Sequence, residues 1–203
     1  YYITLMNENY EHPVLPMGTA EGICRGMYPL SDRDLGPKKP KVQLFGSGAI
    51  LREALRAQEM LESQFGVGST VFSVTSYKAL GEDARACERW NRLHPGQQAR
   101  KPYVAQVMEG RPGPVVAALD YVSALALSIT PWVPGPYSVL GTDGFGRSED
   151  RVRLRRFFEV DAENIVLAAL ESLARQGQFP KAKLSGAMTL LALDANKPNP
   201  SLT

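Results

Sequence analysis

Short apolar segments alternate with segments of helical periodicity along most of this chain, and this alternation restricts the possible folds more than any other feature. The segments that resemble strands lie at residues 42–45, 70–74, 114–119 and 137–143. After the first of them, apolar residues recur at helical spacing until Gly66, a residue type that commonly ends helices. Strands that alternate with helices favour crossover connections and a mostly parallel sheet covered on both faces. The alternation therefore predicts an α/β fold, a three-layer α/β/α sandwich.

Two segments near the N-terminus predict further strands. Residues 1–5 have the pattern of a strand that needs a sheet to complete it, and ICRGMYPL at 23–30 has an internal glycine that suits an edge position. The turn-rich SDRDLGPKKPK that follows is typical of a hairpin-like connection. We therefore expect a mixed sheet of about five strands with one antiparallel edge strand.

The segments between the strands predict helices, some of which have recognisable starts. Asp120 and Ser148 have side chains suited to the first capping position of a helix, and the second helix should run through Phe157. The remaining helical predictions cover 162–177 and 181–194, with a helical or irregular segment from 76 to 94.

The composition excludes several functional classes. A formal net charge of +2, with PKKPK at 37–41 as the nearest approach to a basic cluster, argues against nucleic-acid binding. No apolar run reaches the ~18 residues that a membrane-spanning helix needs. Cys24 and Cys87 form no C-x-x-C pair, so two free thiols in a reducing cytoplasm are expected, although a disulfide stays open. These features predict a cytoplasmic protein with no membrane and no nucleic-acid partner.

The start of the chain predicts a domain boundary. Tyr1 is not a methionine and enters a strand-like run at once, which is typical of a piece of a longer polypeptide. We therefore expect residues 1–20 to be the end of a preceding domain with its linker, and residues 21–203 to form the domain itself.

The segment FGSGAIL at 45–51 resembles a dinucleotide-binding fingerprint, because it follows a strand and opens a helix. Gly46 and Gly48 fill the first two glycine positions, but Leu51 occupies the third. The next strand also ends without the carboxylate that would bind a ribose hydroxyl. A tight strand-to-helix turn is the better interpretation.

The two histidines predict no catalytic or metal site. His12 and His94 are each followed by proline, and no nucleophile or metal-ligand pattern accompanies either of them. A structural or interface role is favoured for both.

The segment GTDGFGRSED at 141–150 could in principle bind a phosphate, because its glycines precede a predicted helix. Glu149 and Asp150, however, occupy the place where the phosphate would lie. Arg147 has the planar group that binds a carboxylate or phosphate through two hydrogen bonds, and a salt bridge to a neighbouring domain is equally suitable chemistry. The candidate interface or anion contacts are therefore Ser47, Gly48, Arg147 and Ser148.

Several segments in one order resemble a known family over almost the whole chain. They are YYITLMNENY, VQLFGSGAILREA, FGVGSTVFSVTSY, CERWNRLHP, PYVAQVM and VLGTDGFGRSEDRVRLRRFFEVD. Together they resemble the C-terminal region of the homodimeric pyruvate dehydrogenase E1 family and, more loosely, the C-terminal domain of transketolases. The resemblance implies a transketolase C-terminal-domain-like fold with a mixed five-stranded sheet.

The resemblance also implies a function for a parent enzyme. That enzyme would decarboxylate pyruvate on thiamine diphosphate with Mg²⁺ and acetylate the lipoyl group of the dihydrolipoyl acetyltransferase component. The preceding domains would hold the cofactor, so no catalytic, cofactor-binding or metal-binding residue is assigned to this segment. Its nearest match to the family's G-D-G diphosphate motif, at 142–144, begins with threonine.

The implied partners are the preceding domains, the second E1 subunit and the acetyltransferase, and the implied role is a dimer and interdomain scaffold. Two alternatives remain: an independent small-anion or nucleotide-binding module that uses Ser47, Gly48 and Arg147, or a transketolase C-terminal domain.

Overall fold

One mixed sheet organises the computed structural model, which describes residues 8–202. The strands are β1 (Met27–Arg33), β2 (Lys41–Gly46), β3 (Gly68–Val74), β4 (Val115–Ala118) and β5 (Tyr137–Leu140), in the spatial order β1-β3-β2-β4-β5. β1 runs antiparallel to β3, whereas β2 pairs in parallel with both β3 and β4, and β5 in parallel with β4. The predicted mixed five-stranded sheet with one antiparallel edge strand is therefore confirmed. The strand expected at residues 1–5 lies outside the described residues.

The helices are α1 (Ala20–Arg25), α2 (Leu51–Phe65), α3 (Tyr77–Leu93), α4 (Tyr103–Val107), α5 (Ser123–Leu127), α6 (Arg151–Phe157), α7 (Ala162–Arg175) and α8 (Leu184–Leu190). Short 3₁₀ turns occur at Gly48–Ile50, Thr130–Trp132, Lys181–Lys183 and Pro200–Leu202. Within residues 8–202, no helix is both long and apolar enough to cross a membrane.

Two apolar cores cover the two faces of the sheet, because successive strand residues point to opposite sides. In β2, Leu44 packs with α2, α7 and α8, whereas the adjacent Phe45 packs on the other face with residues of α3, α4 and α5. Phe45 meets Phe72 of β3 edge to face, with ring centroids 5.3 Å apart. The three-layer α/β/α prediction is therefore correct.

The predicted element boundaries need two corrections at the N-terminal edge. Residues 20–25 form helix α1 where the sequence pattern suggested the start of a strand, and Gly26 ends that helix with a φ of 108°. The edge strand starts at Met27 and continues to Arg33, into the segment expected to be a turn. Hydrogen bonding to β3 outweighs the turn-forming tendency of that segment, because pairing with a central strand satisfies its backbone groups.

Helix α2 behaves as its sequence predicts. It ends at Gly66, which has a φ of 62°, and the Gly66 N–H donates to the Glu62 carbonyl oxygen at 3.2 Å. Glycine takes this left-handed conformation without the steric penalty of a Cβ, so the helix stops there.

The chain enters β4 through a close approach that only glycine permits. A Cβ on Gly113 would lie 1.8 Å from the Lys41 carbonyl oxygen, and its φ is 95°. Gly110, three residues earlier, has a φ of 70° but no atom within 4 Å of the same position. Gly113 therefore fixes how β4 approaches the start of β2.

A charged pair supports the antiparallel edge. Lys41 Nζ lies 2.8 Å from Asp32 of β1, whose carboxylate also accepts a hydrogen bond from the Thr70 hydroxyl at 3.0 Å. Partial burial alone would raise the pKa of Asp32, but hydrogen bonds from Lys41 and Thr70, together with the positive charge of Lys41, lower it below its ordinary value. The ionised form of Asp32 therefore stabilises the folded state.

Candidate functional site

The carboxyl ends of β2, β4 and β5 form the edge of the sheet at which a ligand site is expected. The chain leaves β2 to form β3 on one side and β4 on the other, so the strand order reverses between β2 and β4. In open α/β sheets such a reversal opens a crevice beyond the strand ends, and ligands commonly bind there. We call this region the switch-point edge.

The loop after β2 is a tight turn with its amides in use. The Ser47 N–H donates to the Ala118 carbonyl oxygen at 3.3 Å, and the Ile50 N–H donates to the Ser47 carbonyl oxygen at 3.2 Å. A Cβ on Gly46 would lie 2.8 Å from Leu51 Cα, so helix and strand pack closely here through Gly46 despite the leucine. The geometry agrees with the interpretation as a strand-to-helix turn.

The loops after β4 and β5 are joined to each other. The Thr142 N–H donates to the Tyr121 carbonyl oxygen at 2.9 Å, and Asp143 Oδ1 accepts a hydrogen bond from the Ser123 N–H at 3.0 Å. Asp120 was expected to cap the following helix, but that helix, α5, starts later, with Val122 at the capping position. Asp143 reaches across from the neighbouring loop to bind the start of α5, so the prediction for Asp120 was wrong.

The turn at 142–144 does not fit a metal-bound diphosphate. The Asp143 carboxylate is already bound to the α5 backbone, and a Cβ on Gly144 would lie 2.6 Å from the Pro200 carbonyl oxygen. The carboxylate and the glycine of this turn are therefore both engaged by protein. Within residues 8–202, no group of three or more metal-ligating side chains comes together.

Helix α6 starts two residues later than its sequence predicted. Asp150, and not Ser148, is its capping residue, because Asp150 Oδ1 accepts from the Arg153 N–H at 2.9 Å. The carboxylates of Glu149 and Asp150 also lie 3.5 Å and 3.3 Å from the Arg153 guanidinium. The Asp150 carboxylate therefore occupies the start of α6, where a phosphate could otherwise bind, and both acids also pair with the Arg153 side chain.

A cavity of about 320 Å³ opens at the switch-point edge, and we call it the switch-point cavity. Its lining residues are Ile50, Asp120, Thr142, Gly144, Gly146, Arg147, Arg151, Leu154, Arg155, Phe158 and Val160. Of the four candidate contacts, only Arg147 is among them. Ser47, Gly48 and Ser148 lie at the same edge but outside the cavity wall.

Among the described residues, Arg147 contacts an aromatic ring, and the predicted pair with a neighbouring domain stays a prediction. Its guanidinium carbon lies 5.4 Å from the centroid of the Phe157 ring, within the range of a cation–π contact. No carboxylate among residues 8–202 forms an ion pair with it. The glycine-rich segment therefore presents this guanidinium at the mouth of the cavity.

Behind the cavity, a charged network joins α2, α6 and α7. Glu53 Oε1 lies 3.1 Å from Arg155 Nη1, and Glu53 Oε2 accepts from the Ala162 N–H at 3.1 Å. Arg56 contacts both Glu53 and Glu163. Because Glu53 and Glu163 are nearly buried, their charges need these partners.

Asp161 is the third carboxylate of this network and caps α7. It accepts from the Asn164 N–H at 3.1 Å, and Arg156 lies 2.7 Å from its other oxygen. Burial raises the pKa of Asp161 above its ordinary value, although the hydrogen bonds from Asn164 and the charge of Arg156 act in the opposite direction.

The segment before α1 is attached to the same wall. Tyr10 accepts a hydrogen bond from Arg155 Nη2 at 3.0 Å and donates to Glu8 at 2.9 Å, and Arg151 pairs with Glu8. Tyr10 also makes a cation–π contact, since the guanidinium carbon of Arg52 lies 5.5 Å from its ring centroid. Sequence reasoning missed Arg151 and Arg155, because arginines spread around a short helix give no sign of which ones face a cavity.

Neither histidine and neither cysteine lines the switch-point cavity. His94 stacks on Trp90 with ring centroids 4.5 Å apart, and its Nδ1 lies 2.8 Å from the Trp90 carbonyl oxygen. His12 is exposed beside the N-terminal segment. Cys24 and Cys87 are both free, which closes the disulfide alternative.

The fold and the arrangement of this edge define an α/β domain of the transketolase C-terminal type. The sequence pattern of the family described as the transketolase-like TK C-terminal domain matches residues 26–161, and the chain belongs to this family. Two crystal structures of Pichia stipitis transketolase, one a complex with sedoheptulose-7-phosphate and one of a mutant in complex with xylulose-5-phosphate, have TM-scores of 0.50 and 0.51. Each is 18% identical over 78% of this chain and 19% of its own. At that identity the likeness concerns the fold alone.

Sequence relatives are much closer. The chain is 50% identical to a protein named pyruvate dehydrogenase E1 component from Pseudomonas aeruginosa, over 98% of the chain and 23% of the relative. It is 49% identical to the protein of the same name from Escherichia coli K12, over 100% of the chain and 22% of the relative. The chain thus spans less than a quarter of the length of the curated relatives that it matches.

Proposed function

We propose that this chain is a non-catalytic scaffold domain of a pyruvate dehydrogenase E1. The parent enzyme decarboxylates pyruvate on thiamine diphosphate with Mg²⁺ and acetylates the lipoyl group of the acetyltransferase component, and its other domains hold the cofactor. The observation that carries this proposal is the identity of about half of all residues over nearly the whole chain to proteins of that name. Transketolase is the weaker alternative, because only the fold supports it.

The local chemistry of the switch-point edge supports a scaffold role. Asp143, the acid of the G-D-G-like turn, binds the backbone at the start of α5. Glu53 and Asp161 both bind backbone N–H groups at the start of α7. These carboxylates are used to hold helices in place. A carboxylate that is committed to backbone N–H groups is poorly available to act as a base or to bind a metal.

Exposed apolar side chains at the same edge provide a surface for neighbouring domains. Phe145 is 80% exposed, and Tyr121 and Val122 in the adjoining loop are 58% and 54% exposed. The loops that carry them are hydrogen-bonded through Thr142 and the Tyr121 carbonyl group, so these side chains share one edge. Clustered exposed apolar residues are typical of protein interfaces.

The occupants that we propose for this surface are the preceding domains and the second subunit of a cytoplasmic bacterial homodimer. Ser47, Gly48 and Ser148, which lie at the same edge, are the proposed polar contacts of that interface. Residues 1–20 serve as the end of the preceding domain and its linker, which Glu8 and Tyr10 attach to α6.

The test uses the full-length enzyme and compares Phe145→Ser with Leu93→Ser. Leu93 is also exposed, but it is the last residue of α3, a helix that starts after β3 and so ends away from the switch-point edge. We expect Phe145→Ser to increase dimer dissociation, measured by sedimentation, while the single-turnover decarboxylation rate of the remaining dimer stays unchanged. The same rate measured on the isolated chain with thiamine diphosphate and Mg²⁺ should be zero. Turnover by the isolated chain, or a variant that stays dimeric while its rate collapses, would contradict the scaffold role.

A further inference from the structure

The switch-point cavity has the features of a ligand site that the scaffold role does not use. Its volume of about 320 Å³ is at the lower end of the roughly 300–1,000 Å³ that is usual for small-molecule pockets. It lies where the strand order reverses, which is the position at which open α/β sheets bind ligands. A site of this size suits a small ligand and is too small for a dinucleotide.

Two opposite charges on the cavity wall have no ion-pair partner among residues 8–202. Arg147 contacts only the Phe157 ring, and the Asp120 carboxylate takes part in no ion pair or hydrogen bond with residues 8–202. Asp120 is only half exposed, so its charge is partly removed from water. A ligand that satisfies both groups must carry an anionic group and a hydrogen-bond donor.

A second guanidinium lies on the wall of the same cavity. Arg151 also lines the cavity, and its ion pair with Glu8 joins side chains that are 38% and 47% exposed. Exposed ion pairs contribute little to stability, so the pair with Glu8 does not by itself prevent Arg151 from contacting a ligand. Arg155, by contrast, is held by the nearly buried Glu53 and remains part of the wall.

These arginines fit a phosphate better than a carboxylate. Guanidinium groups bind phosphate oxygens through paired, charge-assisted hydrogen bonds, and a phosphate monoester can engage two guanidiniums at once. Glu149 and Asp150 do not oppose such a ligand from the wall, because their carboxylates pair with Arg153 outside the cavity.

The rest of the wall determines the body of the ligand. Ile50, Leu154 and Phe158 give it an apolar side, and Val160 completes it. Asp120 can accept a hydrogen bond from a hydroxyl group, but it would repel a second anionic group.

We propose that the switch-point cavity binds a small phosphate monoester that carries hydroxyl groups and an apolar body, of the chemical class of a nucleoside monophosphate. This site lies at the edge that the proposed scaffold role gives to neighbouring domains, but its binding is measured without dimer dissociation or pyruvate turnover, so the failure of one proposal is distinguishable from the failure of the other.

The test is calorimetric titration of the complete protein with AMP, and with adenosine, which lacks only the phosphate. We expect saturable binding of AMP at one site per chain and at least ~10-fold weaker binding of adenosine. Arg147→Ala should weaken AMP binding by about 10-fold or more, because it removes a charge-assisted contact. Arg175→Ala is the control: it removes the same charge from α7, outside the cavity, where its pair with Glu171 joins side chains that are 77% and 38% exposed, and it should change the affinity by less than about 2-fold.

Asp120→Ala, which removes the acceptor oxygens, tests the hydroxyl contact separately. In the unsubstituted protein, AMP should bind more tightly than 2′,3′-dideoxy-AMP, and this preference should fall toward one in the variant. Circular dichroism and thermal unfolding without ligand establish that each variant is folded. The proposal is overturned if AMP does not bind, if adenosine binds equally well, or if Arg147→Ala and Arg175→Ala weaken AMP binding to the same extent. It is also overturned if only a protein carboxylate from a neighbouring domain occupies the cavity in the assembled enzyme.

Discussion

Glu53 should be one of the most sensitive positions in this domain, although it lies on the first turns of an ordinary amphipathic helix. Its carboxylate contacts Arg155 at 3.1 Å, Arg56 at 3.4 Å and the Ala162 N–H at 3.1 Å. It therefore joins α2 to α6 and to the start of α7. Glu53→Ala removes all three contacts and leaves a nearly buried guanidinium and a buried backbone donor without their acceptor.

The size of the effect follows from burial. Removing one member of a buried ion pair typically destabilises a protein by ~3–5 kcal/mol. The side chains of Glu53 and Arg155 are 12% and 17% exposed, and Arg155 keeps its hydrogen bond to Tyr10. We therefore expect the lower end of that range, about 3 kcal/mol, which corresponds to a fall in Tm of roughly 6–12 °C for a chain of this size.

Glu62→Ala on the same helix is the control, because its pair with Arg33 joins side chains that are 34% and 43% exposed. It should lower the free energy of unfolding by about 1 kcal/mol or less. Glu53→Gln should fall between the two, at about 2 kcal/mol, since an amide oxygen can still accept from the Ala162 N–H. Urea unfolding gives all three values, provided that the slope with denaturant is unchanged. If Glu53→Ala and Glu62→Ala differ by less than about 1 kcal/mol, the buried network does not stabilise the fold as argued.

Three further perturbations test other parts of the structure. Gly113→Ala should destabilise the fold by roughly 3 kcal/mol or more, because its Cβ would lie 1.8 Å from a carbonyl oxygen. Gly110→Ala, with open space around it, should lower the free energy of unfolding by only about 1 kcal/mol. Thermal unfolding compares the two variants, and equal losses would count against the close approach. The lowered pKa of Asp32 means that its contribution to stability is present above its unfolded-state value of 3.8 and is lost as the pH falls through the lower folded-state value. Asp32→Asn should therefore reduce the loss of stability between about pH 5 and pH 2 in urea unfolding, and an unchanged acid profile would argue against this pair. Tyr10→Phe should speed limited proteolysis of the segment before α1, since it removes the hydrogen bond to Arg155, and an unchanged cleavage rate would show that this bond does not hold the segment.

Local pattern in the sequence was sufficient to predict the layers of this domain. The apolar segments at 42–45 and 70–74 became adjacent parallel strands, and Gly66 ended α2 with the backbone conformation that glycine favours. These outcomes depend on side chains close together in the chain, whose periodicity reports which face of an element is buried. Capping was predicted less well: Asp150 replaced Ser148, because both residue types are suitable and only the path of the chain selects one.

The cavity and its charged wall were decided by tertiary structure alone. Glu53 and Arg155 are 102 residues apart, and Tyr10 and Arg155 are 145 apart, yet each pair is in hydrogen-bond contact. A helical pattern shows that a face is covered but not which distant segment covers it. The order of the strands makes that choice, since the reversal between β2 and β4 brings Asp120 and the glycine-rich segment to one crevice.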